Sequence, residues 1–93
     1  MQFEWDPDKS EACVRERRFN FAYAARAFFD PRRMIEPDER HSYREDRHRL
    51  LGMIESRVFV VVYTLRGESI RIISARKANQ REVDYYENCT RKD

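Results

Sequence analysis

The chain has 93 residues, enough for one domain with a single modest hydrophobic core. Its hydrophobic content of 41% excludes an intrinsically disordered protein, and the absence of a long apolar run excludes a signal peptide or membrane span, so we expect a cytoplasmic protein with no membrane partner. Cys13 and Cys89 lack metal-ligand spacing, and we expect free thiols, with one disulfide as the alternative.

The formal net charge is only +2, but all except three of the 19 basic residues are arginines. A planar guanidinium matches the oxygens of a phosphate group, which a lysine ammonium does not. Positions 66 to 81 hold five basic residues and a single acid, Glu68. This local excess predicts a surface that faces a polyanion, with a solvated arginine-rich surface as the alternative.

The N-terminal part predicts a strand and two helices. Positions 3 to 5 alternate apolar and polar residues, as a short strand does. Asp6 and Pro7 are typical of a helix start, and this first helix should run to about Arg17. Asn20 is the expected cap of a second helix, which ends before Pro31. Its buried face is predicted by the spacing of Phe21, Ala24, Ala25 and Phe28.

The remaining chain predicts strands and a last helix. A short strand at 34–36 and a loop at 37–43 precede three strands, at 47–54, 58–65 and 69–75. Gly67 suits a tight hairpin turn. Positions 58–63 are apolar in succession, which indicates a central strand covered on both faces. Asn79 and Glu82 form a capping box for a helix over 80–88.

These elements predict an α+β fold over residues 1–93. Two N-terminal helices and a C-terminal helix are expected against one face of a mainly antiparallel sheet of three to five strands. Neither HExxH nor CxxC occurs, and only two glycines are present, so we expect no metal site, no cofactor and no glycine-rich phosphate loop.

A first cluster with possible chemistry lies between the short strand and the next one. RNA cleavage without a metal needs groups that transfer protons and cations that stabilise a charged phosphorane. His41 or Glu45 can transfer the proton, and Arg40 or Arg47 can supply the cation. The alternative is a salt-bridged surface loop. His48 alternates with core positions and is expected to be a half-buried structural residue.

A second cluster joins the last strand to the last helix. Arg76 and Lys77 follow the predicted strand beside a helix N-terminus, where free N–H groups attract phosphate. Arg71 should point away from the face of its apolar neighbours, and Arg81 and Glu82 begin the helix. This arrangement predicts an anion site, with a basic surface edge as the alternative.

Five groups of residues form an ordered set of motifs along the chain. They are Phe3-Glu4-Trp5-Asp6-Pro7-Asp8-Lys9; Asn20-Phe21, Ala24-Ala25 and Phe28-Phe29-Asp30-Pro31; Asp38, Arg40, His41, Ser42, Glu45, Arg47 and Gly52; Val60-Val61-Val62-Tyr63-Thr64; and Arg71-Ile72-Ile73-Ser74-Ala75-Arg76-Lys77-Ala78 with Glu82, Tyr86 and Glu87. Together and in this order, they resemble the motifs of the BrnT toxin family over nearly the whole chain.

That resemblance implies a RelE-like α+β fold and a type II toxin that cleaves RNA and blocks translation. It also implies a cognate BrnA-like antitoxin, through which the complex reaches DNA. For such a ribonuclease the candidate catalytic residues are His41, Glu45, Arg76 and Glu82. The candidate RNA-binding or phosphate-binding residues are Arg17, Arg40, Arg47, Arg71, Lys77 and Arg81.

One position departs from the family pattern. Where family members usually carry Lys-His-Gly, this chain has Glu16-Arg17-Arg18, so Arg18 is expected to end the helix without the usual left-handed residue. The departure keeps open a degenerate toxin that only binds its antitoxin and tunes operon repression. A direct nucleic-acid-binding module is a third possibility, although no helix-turn-helix or RRM signature supports it.

Overall fold

The computed structural model describes residues 1–38 and 46–90 and confirms an α+β protein. The described part contains a five-stranded sheet and three α-helices, the second of which continues as a 3₁₀ helix. In chain order the elements are β1 (Gln2–Trp5), α1 (Pro7–Arg17), α2 (Phe21–Ala24) with its 3₁₀ extension (Ala25–Phe29), β2 (Met34–Pro37), β3 (Arg47–Ile54), β4 (Arg57–Arg66), β5 (Ser69–Lys77) and α3 (Gln80–Thr90).

Both predicted N-terminal helix caps are confirmed. The Asp6 carboxylate accepts a hydrogen bond from the Asp8 N–H at 2.9 Å, and the Asn20 side chain accepts one from the Tyr23 N–H at 2.8 Å. The second helix is α-helical for only one turn and then tightens. Because side chains three residues apart eclipse in a 3₁₀ helix, this tightening keeps Ala24 and Ala27 together in the core.

The end of α1 corrects one expectation. Arg18 itself adopts the left-handed conformation, with φ of 72°, and its N–H donates to the Val14 carbonyl at 2.9 Å. The helix therefore ends in the usual way, but on a residue with a Cβ atom, for which this conformation is unfavourable. Gly67 lies at a hairpin turn with φ of 58°, as predicted.

The sheet is mixed. Its strand order is β1-β5-β4-β3-β2, with β1 parallel to β5 and the other three neighbouring pairs antiparallel. The central position of β4 is confirmed. No helix in the described ranges 1–38 and 46–90 is both long and apolar enough to cross a bilayer. Cys13 is buried, Cys89 is exposed, and both are free thiols, as expected.

Helices cover both faces of the sheet, so the expectation that all helices pack on one face was wrong. The side chains of β4 alternate between the two faces. Phe59 and Val61 join the core under α1 and α2, whereas Val58 and Val60 join a smaller core with Tyr86 of α3. A strand that is apolar at successive positions needs apolar cover on both sides, and α3 supplies the second cover.

A β-bulge in β5 decides which side chains share a face. Val62 pairs with Ser74 but the next residue of β4 pairs with Ile72, which leaves Ile73 as the extra residue. Ile72 and Ala75 both enter the core under α1 and α2, although they are three positions apart. The bulge consequently places Arg71 and Arg76 together on the α3 face, where uninterrupted alternation would have separated them.

Candidate functional site

An ion-paired arginine stands where β5 meets α3. Arg76 donates from both terminal nitrogens to the two carboxylate oxygens of Glu82, at 2.8 and 2.7 Å. Glu82 also accepts from the Asn79 N–H at 2.9 Å, and the Asn79 side chain accepts from the Glu82 N–H at 2.8 Å. The predicted capping box is therefore confirmed, and the residue that caps α3 also holds the Arg76 guanidinium in a fixed plane.

The network extends across the α3 face to β2. Arg49 lies 3.7 Å from Glu82 and donates from Nε to Glu36 at 3.1 Å. A second Arg49 nitrogen also contacts Glu36. Tyr85 of α3 donates its hydroxyl hydrogen to Glu36 at 3.3 Å. Two guanidinium groups and two carboxylates thus alternate in one row, and the row is set by the β2–β3 register, which pairs Glu36 with Arg49.

The charges of the Arg76–Glu82 pair are fixed at neutral pH. The hydrogen bonds from Arg76 hold the pKa of Glu82 at about 2, against the opposing effect of burial. The same contact raises the pKa of Arg76. A carboxyl group with so low a pKa is a poor proton acceptor near pH 7. Glu82 is therefore ionised at neutral pH, and its carboxylate orients the Arg76 guanidinium.

The row lines an open groove of about 580 Å³. The lining residues are Glu36, Arg49, Arg76, Asn79, Arg81, Glu82 and Tyr85. Three arginines against two carboxylates leave an excess of one positive charge. Guanidinium groups bind phosphate with the same two-pronged geometry that they use for carboxylate, so an entering phosphate can exchange with Glu36 or Glu82. We refer to this feature as the α3 groove.

The structure brings three of the sequence-predicted residues, Arg76, Arg81 and Glu82, to the α3 groove. Arg71 lies on the same face of the sheet, outside the groove lining, and pairs with Glu4 at 3.0 Å. Arg47 faces Arg71 across Thr64 of β4. The predicted basic cluster therefore forms a band along one face rather than a single pocket.

Lys77 and Arg17 are not in that band. Consecutive strand residues point to opposite faces, so Lys77 faces the α1–α2 side while Arg76 faces α3. Arg17 lines the same cavity as Lys77. Lys77, which was grouped with Arg76 from the sequence, and Arg17, a separate candidate phosphate-binding residue, consequently belong to a different surface.

The candidates Arg40, His41 and Glu45 lie outside the described residues. His48 is half-buried, and its ring lies 5.3 Å from that of Tyr63, in agreement with a structural role. The described residues contain no group of three or more His, Cys, Asp or Glu side chains arranged to hold a metal ion.

Sequence reasoning missed Arg49, Glu36 and Tyr85. Alternation along β3 places Arg49 on the face of Arg47, so the first of these had a usable signal. Glu36 depends on the register between β2 and β3, and Tyr85 depends on the angle at which α3 crosses the sheet. Neither quantity can be read from local sequence.

The fold and the α3 groove define a small α+β protein with an arginine-lined surface suited to a phosphate-bearing ligand. A family model described as the ribonuclease toxin BrnT of a type II toxin–antitoxin system matches residues 5–82. The chain therefore belongs to the BrnT family of ribonuclease toxins, as its motifs predicted, and a type II system implies an antitoxin partner. A search of curated proteins finds no match.

Proposed function

We propose that this chain is a toxin that cleaves RNA in the α3 groove without a metal ion and thereby blocks translation. The observation that carries the proposal is the bidentate Arg76–Glu82 pair beside Arg49 in one groove of a ribonuclease-family chain. We assign the activity to residues 1–93 acting as one endoribonuclease domain, with the RelE-like fold that the resemblance implies.

In the proposed reaction a ribose 2′-hydroxyl gives up its proton and its oxygen attacks the adjacent phosphorus to form a phosphorane. The bond between phosphorus and the 5′-oxygen of the next nucleotide then breaks, and this oxygen leaves with a proton, so the products are a 2′,3′-cyclic phosphate and a free 5′-hydroxyl. The phosphorane that forms carries more negative charge than the starting phosphodiester. Arg76 and Arg49 are already partly buried and oriented by their ion pairs, so they can stabilise this added charge with little further reorganisation. Removing one such preorganised donor costs about 10²–10³-fold in rate in other enzymes. Arg76 is therefore the proposed catalytic residue, and Glu82 is a positioning residue.

Proton transfer is assigned to residues beyond this network. His41 and Glu45 stay the proposed proton-transfer groups, because Glu82 is held ionised by Arg76. Arg47, Arg71 and Arg81 are proposed to bind RNA phosphates along the same face, and Arg40, which lies outside the described residues, is proposed to bind RNA phosphates as well. These assignments agree with the exposed position of Arg81 beside the groove and with the half-buried positions of Arg47 and Arg71.

The proposed partners are RNA, a BrnA-like antitoxin that neutralises the toxin, and DNA only through the antitoxin complex. A degenerate toxin that merely binds the antitoxin is the alternative, suggested by the Glu16-Arg17-Arg18 departure. Arg17 and Arg18 line a cavity on the sheet face opposite the α3 groove. Their location leaves the Arg76–Glu82–Arg49 network intact and favours an active ribonuclease.

The test compares the wild type with Arg76→Ala and with Arg15→Ala, an exposed arginine outside both cavities. We expect the wild type to arrest growth when expressed alone, co-expression of its genomic neighbour to relieve the arrest, and purified protein to cleave RNA in the presence of a chelator. Arg76→Ala should lower the cleavage rate by about 10²–10³-fold, while Arg15→Ala leaves it unchanged.

Other outcomes separate the alternatives. Full cleavage by a folded Arg76→Ala variant would reject this site but not the ribonuclease activity. Loss of cleavage with the chelator would reject the metal-free mechanism. A folded wild type that neither arrests growth nor cleaves RNA, yet binds the neighbour's product, would establish the degenerate toxin.

A further inference from the structure

A second groove lies on the opposite face of the sheet, where α1 ends and α2 begins. It encloses about 670 Å³. The turn between β3 and β4 and the last residue of β5 close its other side. Its basic lining residues are Arg17, Arg18, Arg57 and Lys77. We refer to it as the α1–α2 groove.

The cations of the α1–α2 groove are largely uncompensated. Among the described residues, Glu55 is the single acidic residue of its lining, and this carboxylate pairs with Arg26 at 3.1 Å. Within ranges 1–38 and 46–90, no carboxylate forms an ion pair with Arg18, Arg57 or Lys77. Three solvated cations in one concave site attract a polyanion strongly, because no carboxylate partner has to be displaced when it binds.

Aromatic rings form part of the same lining. Phe19 and Tyr23 are partly buried against Phe59, with centroid separations of 5.1 and 5.8 Å. Rings next to guanidinium groups suit the stacking of unpaired bases, whereas an acidic peptide would use the charges alone. Three of the four cations are arginines, which also favours phosphate groups over isolated carboxylates.

The two grooves meet at one end of the sheet. Arg76 lines the α3 groove, and the next residue, Lys77, lines the α1–α2 groove. Arg57, the first residue of β4, lies at that same end, because β4 and β5 are antiparallel. A single nucleic-acid strand that passes over this end of the sheet can therefore contact both grooves.

We propose that the α1–α2 groove binds the backbone of single-stranded RNA that flanks the bond cleaved in the α3 groove. This inference rests on the proposed ribonuclease function. It assigns Arg57 and Lys77 to substrate binding outside the cleavage site, together with Arg17 and Arg18. The groove thereby gives the toxin a preference for long, unpaired RNA over short fragments.

The experiment measures binding of a long 2′-O-methyl oligoribonucleotide, which lacks the attacking hydroxyl, as a function of salt. The probed variant is Arg57→Gln/Lys77→Gln, and both side chains are exposed, so folding should persist and is checked by thermal melting. The slope of log affinity against log salt is negative, and its magnitude should decrease by about 1.4, because each phosphate contact to a single strand contributes about 0.7.

The matched control is Lys9→Gln/Arg15→Gln, which removes the same charge from exposed positions of α1 outside both grooves. It should leave the salt slope near that of the wild type. An equal fall in both double variants would show that net charge alone is responsible and would overturn the proposal.

Two further outcomes would also overturn it. If the wild type cleaves RNA but Arg57→Gln/Lys77→Gln binds the long strand with an unchanged slope, the groove is not an RNA site and the ribonuclease function stands. If that variant retains RNA binding but loses affinity for poly-glutamate and for the neighbour's product, the groove receives an acidic protein segment. A wild type that neither binds nor cleaves RNA rejects the ribonuclease function itself.

Discussion

The two grooves on opposite faces of the sheet use the same residue type in opposite ways. Arg76 and Arg49 of the α3 groove are paired with carboxylates and partly buried, whereas Arg18, Arg57 and Lys77 of the α1–α2 groove are exposed. Paired guanidinium groups have fixed orientations, which transition-state stabilisation requires. Exposed cationic side chains stay solvated and mobile, and their charge is sufficient to attract a single strand of RNA. The difference teaches that ion pairing with carboxylates distinguishes the arginines of the proposed cleavage site from the cations of the proposed RNA-binding groove.

The same contrast holds for the interior. Within the part of the chain that the structure describes, the core under α1 and α2 joins thirteen buried residues, while the core under α3 joins four. Apolar burial therefore stabilises the first face to a much larger degree. On the α3 face, the half-buried ion pairs also stabilise the packing of α3 on the sheet. Substitutions on the two faces should consequently differ in their dependence on pH.

The largest effect on stability is expected from Glu82→Gln, on the sheet face under α3. This substitution removes the charge of the carboxylate that pairs with Arg76 and keeps the shape of the side chain. The folded pKa of Glu82 is about 2 and its ordinary value is 4.5, so its charge stabilises the fold above about pH 4.5. That contribution is lost as pH falls toward 2. We expect a loss of roughly 3 kcal/mol at neutral pH, measured by urea unfolding, and a difference from wild type that shrinks in acid.

Glu55→Gln is the matched control on the other face. Glu55 also pairs with an arginine, but both side chains are more than half exposed, at 66% and 53%. Such surface pairs contribute little, so the loss should stay below about 1 kcal/mol at all pH values. Equal losses in the two variants would contradict the contrast between the two faces.

The next largest effect on stability is expected from Gly52→Ala, on the sheet face that α1 and α2 cover. A Cβ atom at Gly52 would lie 2.5 Å from the Ala27 carbonyl oxygen and 3.0 Å from the Ala27 Cβ. The 3₁₀ segment must then move off the sheet, and we expect a loss of about 1–3 kcal/mol that does not depend on pH between neutrality and pH 4. Chemical unfolding at several pH values measures it. A loss that changes with pH would show that this face also depends on charges.

Local sequence signals predicted those features of both sheet faces that depend only on residues close together in the sequence. The caps at Asp6, Asn20 and Asn79 were predicted because a helix start is decided within four residues. The α3 groove was predicted only in part. Alternation alone assigns Arg71 and Arg76 to opposite faces, and the bulge at Ile73 reverses that assignment. A bulge is set by tertiary pairing and has no dependable local signature.

The Glu82 cap shows how a local signal can also hide a function. Its spacing from Asn79 predicts a helix start, and the structure adds a second role, since the same carboxylate orients Arg76. The position of Arg49 next to it required the β3–β4 register, in which Arg49 is opposite Val62. Sequence reasoning therefore found both members of the Arg76–Glu82 pair and missed Arg49 and Glu36, which complete the network.

The smallest effect on stability is expected from Arg18→Gly. This variant also gives the sharpest test of how the two grooves differ. Arg18 has φ of 72°, so glycine should raise the free energy of unfolding by about 1 kcal/mol. The same change removes a cation from the α1–α2 groove and should lower the salt slope for single-stranded RNA by about 0.7. Arg18→Ala, which loses the charge and keeps the strained backbone, should show the lower slope without the gain in stability. If Arg18→Gly is no more stable than Arg18→Ala, the left-handed backbone carries no cost. If it is more stable yet binds RNA as the wild type does, Arg18 serves only to end α1, and capture of the strand belongs to Arg57 and Lys77 alone.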